Sequence, residues 1–202
     1  MKVGVLASGA GTNLQALIDR VHGRDGVELV AVASDKPAAR ALERARAAGV
    51  PERVFPLDRF RDRSARDDAI ADWLVEREVE LVVLAGYMQL LSASFLARFP
   101  NRVINVHPAL LPAFPGLNAV QQALAYGVKV FGVTVHFVDD GVDTGPVILQ
   151  RAIELPEARH PEQVLDRLQP IEHELLPEAV RLIARGAVSL DPTNQRRVLV
   201  SR

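Results

Sequence analysis

Apolar residues recur along this chain in two rhythms that take turns from the amino terminus onward. Short runs rich in Val, Ile and Leu, at residues 2–7, 27–33, 54–55, 81–85, 103–107, 130–137 and 147–153, have the length and composition of strands. Between them apolar residues return at spacings of three and four. Such stretches are Leu14, Leu17 and Ile18; residues 38–48, as far as Gly49; Ile70, Trp73 and Leu74 within residues 69–78; residues 117–125, before Tyr126 and Gly127; and residues 161–185. Strand and helix in alternation predict a single-domain α/β fold, a mostly parallel twisted sheet of about seven strands with helices on both faces. The run Leu81, Val82, Val83, Leu84, Ala85 is apolar at every position, as burial on both faces of a parallel sheet demands. Pro170 and Pro177 predict that the last helical stretch is broken into a pair. Beyond Gly186 the pattern predicts one more strand and an exposed carboxyl-terminal segment, residues 186–202, at the end of a domain spanning residues 1–202.

The pattern is most informative where polar side chains interrupt it. Asn105 and His107 stand at alternate positions among Val103, Ile104 and Val106, so both share one face at the strand's carboxyl end. In open α/β sheets ligands bind at that end, and Pro108, Pro112 and Pro115 rule out a helix and predict a stiff, extended loop. On their own, Asn105 and His107 fit the satisfaction of loop backbone groups as well as they fit catalysis. A second alternating strand, through Thr134, Val135, His136 and Phe137, runs into Asp139, Asp140, Gly141, Val142, Asp143, Thr144, Gly145 and Pro146. This acidic, glycine-punctuated loop is able to bring a carboxylate to the imidazole.

A different chemistry is suggested at the first junction, where Ser8, Gly9, Ala10, Gly11, Thr12 and Asn13 link a strand to a helix. Such a turn aims backbone N–H groups and the positive end of a helix dipole at one point, which suits a phosphate. The dinucleotide fingerprint needs a glycine where Leu14 stands, and the Walker pattern needs a Gly-Lys pair, so one phosphate is expected rather than a pyrophosphate. Thr12 or Asn13 is expected to cap the helix as well. With the fingerprint broken, Asp35 at the end of the second strand is expected to be a solvated loop acid and not a ribose ligand. Residues 58–68, which include Arg59, Arg61, Arg63 and Arg66, read as a solvated loop and helix start.

Composition narrows the function classes. A chain of 202 residues buries roughly 70% of its unfolded surface without staples. It has no cysteine, which excludes disulfides, thiolate metal sites and a cysteine nucleophile. A net charge of −1, with arginines spread among acids, argues against a broad nucleic-acid surface, so any anion site is local. No apolar run approaches a membrane span, the first residues are too short in apolar length for a secretory signal, and a cytoplasmic protein is expected.

Asn105, His107 and Asp143, in the contexts NVHPALLPAFPG and HFVDDGVDTGPVI, resemble the catalytic set of the folate-dependent formyltransferases, and the likeness runs from Val3 to about Leu182. The resemblance implies a Rossmann-like formyltransferase fold, and it is nearest to those members whose acceptor is glycinamide ribonucleotide, in de novo purine biosynthesis. It implies that Gly11, Thr12 and Asn13 hold the ribonucleotide phosphate and that Glu172 contacts the ribose or amine; from composition alone Glu172 is a surface acid. It further implies that Met88, Gln89, Leu90, Leu91, Asp139, Asp140 and Arg63 meet the co-substrate, 10-formyltetrahydrofolate, that no metal takes part, and that Leu111-Pro112 is cis. Gln89 stands where some relatives have arginine, and Asn118 where many have histidine, so Asn118 is given no catalytic role. The implied partners are small molecules, without nucleic acid or membrane, and the chain is expected to be a monomer or homodimer.

Formyl transfer needs an amine to attack the formyl carbon, donors for the developing oxyanion, and removal of a proton from nitrogen. Asn105 and His107 are suited to the oxyanion and Asp143 to the cation and the proton, with no covalent intermediate. The phosphate turn and these three residues are expected to open on one cleft at the strands' carboxyl ends. The alternative on the same scaffold is formyltetrahydrofolate hydrolysis, which the resemblance associates with an additional amino-terminal regulatory domain; tRNA formylation is associated with a basic carboxyl-terminal one. Neither domain is expected here. Metal-dependent hydrolysis through His107, His136 and Asp143 lacks a dense ligand spacing. A nucleotide-binding module without activity would leave the Asn-His-Asp set unexplained.

Overall fold

The structure, a computed structural model, describes residues 1–201. It is an α/β fold with a mostly parallel sheet flanked by helices, and the chain forms two compact units, Met1–Ile104 and Asn105–Arg202.

The first unit comprises β1 (Lys2–Leu6), α1 (Thr12–Arg20), β2 (Glu28–Ser34), α2 (Arg40–Ala47), β3 (Glu52–Val54), α3 (Arg63–Val75), β4 (Leu81–Leu84), α4 (Ala93–Arg98) and the start of β5 (Val103–His107). Its strands lie in the order β3-β2-β1-β4, all parallel. β4 is buried at every position, the burial its uniform apolar sequence calls for. Helix α3 begins at Asp62, whose carboxylate accepts from Ala65 N at 2.8 Å, and it buries Ile70, Ala71, Trp73 and Leu74. Because the strands run parallel, the β1–α1, β2–α2 and β4–α4 loops all sit at carboxyl ends.

The second unit holds the rest of β5, α5 (Ala119–Tyr126), β6 (Val130–Phe137), β7 (Val147–Glu154), α6 (Pro161–Ala184), β8 (Val188–Asp191) and β9 (Asn194–Val200). Here the order is β6-β7-β9-β8, with β6/β7 and β8/β9 antiparallel and β9 joined to β7 in parallel at Val147 and Arg197. Nine strands are present among the described residues, against the seven or so that the pattern predicts, and two of them lie in the tail expected to hold one. Asp191 Oδ1 accepts from Thr193 N at 2.8 Å and from Thr193 Oγ1 at 2.6 Å. This side-chain turn reverses the chain into a hairpin whose residues stay largely exposed.

The expected break in the last helix is absent: α6 runs unbroken through Pro170 and Pro177. Each proline removes a main-chain hydrogen bond and costs about 3 kcal/mol. Val164, Leu168, Leu175, Leu176 and Val180 are buried on the helix, which packs on β6 and β7. At roughly 1.5–3 kcal/mol for each buried side chain, this face outweighs the two breaks.

Candidate active site

Strand β5 delivers Asn105 half-buried and His107 5% exposed, and the loop that follows is held by a buried polar network. Thr134 Oγ1, on β6, donates to Ala109 O at 2.6 Å and accepts from Leu111 N at 3.1 Å and Gln150 Nε2 at 2.9 Å. Gln150 Nε2 also donates to Leu111 O at 2.8 Å, and Leu111-Pro112 is cis, as the resemblance implies. The loop after β6 folds on its own side chains. Asp139 Oδ1 accepts from Thr144 Oγ1 at 2.6 Å and from Gly141 N at 3.2 Å, and Arg196 Nη1 from β9 donates to Thr144 O at 2.8 Å. Asp143 sits in this loop at φ +52°.

The two loops bring four side chains together. Asp143 Oδ2 lies 3.3 Å from His107 Nδ1 and accepts from Gly116 N at 2.8 Å; its Oδ1 lies 3.4 Å from Asn105 Nδ2 and 3.5 Å from His136 Nε2. His107 Nε2 faces Phe114 O at 2.9 Å, so both ring nitrogens meet acceptors and both are satisfied when each carries a proton. His136, 1% exposed, donates Nδ1–H to Phe137 O at 2.8 Å. Its Nε2 stands 3.3 Å from Asn105 Nδ2; neutral it accepts from the amide, protonated it donates to the carboxylate. Burial pushes the Asp143 carboxyl up, but hydrogen bonds from His136 and Gly116 N and attraction to His107 and His136 outweigh it, holding the carboxyl down at about 2. Sequence reasoning weighed His136 only as a metal ligand; β6 is buried at every position from Phe131 to Phe137, so alternation along it marks no single inward face. Among the described residues no group of three or more His, Cys, Asp or Glu side chains is arranged to hold a metal ion.

In the first unit the β1–α1 turn is built around Gly11, at φ +70° and ψ +29°, where a Cβ would lie 2.7 Å from Ala41 Cα. Gly11 itself occupies the helix N-cap position, with no side-chain cap, and Thr12 and Asn13 are the first helical residues, not the caps expected. Arg44 on α2 holds the turn by donating to Ala10 O and Gln15 Oε1, each at 2.9 Å. Asp35 departs from the solvated acid expected: it is half-buried, and its Oδ1 is enclosed without a hydrogen-bond partner.

Residues 86–92, between β4 and α4, expose Met88 and Leu90 by more than half and leave Gln89 and Leu91 half-buried. Arg66 and Asp67, expected on a solvated helix start, are instead wholly buried beside this segment as an ion pair of 2.7 Å. The signal was present, since the α3 stripe of Ile70, Trp73 and Leu74, carried back one turn, falls on these two residues. Arg63 is exposed as the first residue of α3, Asp140 is exposed, and Glu172 is half-buried on α6.

An amide, two imidazoles and a carboxylate held low are gathered where β5 ends and β6 runs into its loop, a set able to hydrogen-bond a developing oxyanion and pass a proton. The formyl transferase family matches residues 1–180, and the chain belongs to that family. It is similar to the phosphoribosylglycinamide formyltransferase of Bacillus subtilis, 41% identical over 181 residues, covering 89% of this chain and 93% of that protein. It is 42% identical over 190 residues to the trifunctional purine biosynthetic protein adenosine-3 of Bos taurus, of which it spans only 19% while 94% of this chain is covered. Among solved structures, glycinamide ribonucleotide transformylase 1 from Symbiobacterium toebii superposes with a TM-score of 0.95 at 47% identity, over 100% of this chain and 94% of that one.

Proposed function

We propose that this chain transfers the formyl group of 10-formyltetrahydrofolate to the amine of glycinamide ribonucleotide in de novo purine biosynthesis, its two units working as one formyltransferase domain in the cytoplasm. The observation that carries the reading is the Asp143 carboxylate, kept ionised while it touches both the Asn105 amide and the His107 imidazole. Full-length relatives that bear the formyltransferase name add to it.

The acceptor nitrogen forms a bond to the formyl carbon, the bond from that carbon to the folate nitrogen breaks, and one proton passes from the former nitrogen to the latter. Asn105 Nδ2 donates to the oxyanion that develops between these events. Its present contacts, at 3.3 and 3.4 Å, are long for an N–H donor, so turning one hydrogen to the oxyanion forfeits little. His107 acts with both ring nitrogens already engaged, and it donates to the oxyanion by sharing a proton now directed at Phe114 O or Asp143. A carboxyl held near 2 is too weak a base to keep a proton at neutral pH. Asp143 therefore serves mainly as a fixed anion that orients Asn105 and His107, and it relays the proton without storing it.

Gly11, Thr12 and Asn13 take the ribonucleotide phosphate, and Glu172 the ribose or amine. Met88, Gln89, Leu90 and Leu91, with Asp139, Asp140 and Arg63, take the folate. Asp139 does so by shaping its loop, since its Oδ1 is committed to Thr144 and Gly141. The test is formyl loss from 10-formyltetrahydrofolate with and without glycinamide ribonucleotide. Transfer requires a rate that depends on the acceptor; equal rates would make the chain a hydrolase.

A further inference from the structure

Two adjacent charges on α3 are buried where no step of the proposed reaction uses them. Arg66 and Asp67 are each 0% exposed, and Arg66 donates Nε at 3.0 Å and Nη2 at 2.7 Å to the same oxygen, Asp67 Oδ1. A buried ion pair is a poor source of stability, because the desolvation of two ions offsets their attraction. What sets this pair apart is where its remaining atoms reach. Asp67 Oδ2 accepts from Ser92 N at 2.7 Å, which fastens one end of residues 86–92 to α3 at the N-cap of α4. Arg66 Nη1 lies 3.5 Å from Gln89 Oε1, and the guanidinium stands 6.0 Å from the centre of the Tyr87 ring. Nearer the other end, Ser8 Oγ accepts from Met88 N at 2.9 Å.

The segment that exposes Met88 and Leu90 is thus tied by side chains at two backbone points, and a buried guanidinium faces it between them. With Oε1 toward Arg66 the Gln89 carbonyl turns inward, and the NH₂ group, which only donates, turns away from the cation. Residues 86–92 thus present a neutral donor at Gln89, while the cation stays inside.

We propose that Arg66 and Asp67 are positioning residues for the folate: through Ser92 and Gln89 the buried pair sets residues 86–92 so that the Gln89 amide donates to a carbonyl or carboxylate oxygen of the bound folate. This rests on the assignment of residues 86–92 to the folate. The contact is one hydrogen bond from a neutral donor, so its loss is expected to weaken folate binding about tenfold.

The test is a double-mutant cycle read in the dissociation constant for 10-formyltetrahydrofolate, measured by calorimetry without acceptor, beside initial rates and thermal melting. Replacing both charges by apolar side chains of similar size, in Arg66→Met/Asp67→Leu, is expected to lower the melting temperature only by the loss of the Ser92 N–H acceptor, since removing two desolvated ions together leaves neither charge unpaired. The same variant is expected to raise the folate dissociation constant about tenfold, with the KM for glycinamide ribonucleotide moved less than about twofold. Gln89→Leu alone is expected to have the same effect on folate, but to add less than about twofold once the pair is gone, because both changes remove one contact. Unchanged folate affinity in the apolar variant, or fully additive effects, would overturn the proposal. If that variant does not fold, Arg66→Lys keeps a charge beside Asp67 without the fork that also reaches Gln89, and the cycle with Gln89→Leu decides in the same way. An unchanged protein that binds the folate but transfers no formyl group refutes the proposed reaction and leaves the cycle to be read; one that binds no folate refutes both.

Discussion

The Asp143 carboxylate stands 3.3 Å from Nδ1 of His107, and the same carboxylate accepts the Gly116 N–H from the loop that His107 opens. Two loops far apart in sequence are therefore locked to each other by one anion. With its carboxyl at about 2, that anion persists across the whole range in which a primary amine changes from ammonium to nucleophile.

Asn105→Ala is expected to lower kcat on the order of a hundredfold, the scale of one lost oxyanion donor, with little change in melting temperature because its present bonds are long. Steady-state kinetics with both substrates saturating, set beside a thermal melt, is the check. An Asn105→Ala enzyme with unimpaired kcat removes the amide from the mechanism.

Asp143→Asn is expected to lose turnover to a similar degree and to reveal a pH-dependent share of stability. A folded carboxyl at about 2 against 3.8 unfolded stabilises the fold at pH above about 4, and that contribution is lost as pH falls toward 2. The side chain is only 15% exposed, so the gap between the unchanged protein and the variant should be on the order of 2 kcal/mol at neutral pH and close near pH 2. Urea unfolding at pH 7, 4 and 2.5 measures it. A gap that does not narrow would show that the carboxyl is not held low by the imidazoles.

Gly11→Ala is expected to destabilise the fold by about 1–3 kcal/mol, since the new Cβ enters at positive φ and meets the Ala41 backbone at 2.7 Å. Chemical denaturation reads this directly. Effects of larger side chains at Gly11 on ribonucleotide binding must be compared at matched folded fraction, because packing against α2 and phosphate approach make separate demands on this position.

What could be read from the sequence was whatever a local pattern encodes. The all-apolar run of Leu81 to Leu84 marks a doubly covered strand, the alternation of Asn105 with Ile104 and Val106 puts the amide beside His107, and glycines around Asp143 mark a loop that returns a carboxylate. Features that depend on partners distant in sequence were not legible. Arg66 and Asp67 continue the buried stripe of α3, but opposite charges side by side read as a solvated surface, and only the fold, which buries them together so that each neutralises the other, decides between the two readings. Pro170 and Pro177 are local helix breakers, and only the apolar face packed on β6 and β7 carries α6 past them. The hairpin in the tail, by contrast, rests on a local side-chain turn from Asp191 to Thr193, while the place of His136 in the site follows from what Asp143 does, not from its own neighbours in sequence.

The Thr134 hydroxyl bonds to none of the four site residues, yet it holds the loop that supports them. Thr134 is 0% exposed, and its hydroxyl joins Ala109 O, Leu111 N and Gln150 Nε2. Thr134→Val keeps the branched shape but offers neither donor nor acceptor, so Ala109 O and Leu111 N lose their partner, while Gln150 retains Leu111 O. At about 1–3 kcal/mol for each of these two buried groups left unsatisfied, the variant should be destabilised by roughly 2–6 kcal/mol. The same loop continues to Phe114 O and Gly116 N, which hold His107 and Asp143, so looser anchoring should lower kcat about tenfold. Thr134→Ser restores the hydroxyl and should recover most of the turnover, losing only the packing of one methyl group. Urea unfolding and steady-state rates of both variants separate the effects of the hydroxyl and the methyl. A Thr134→Val enzyme as stable and as fast as the unchanged protein would mean that the prolines alone fix this loop.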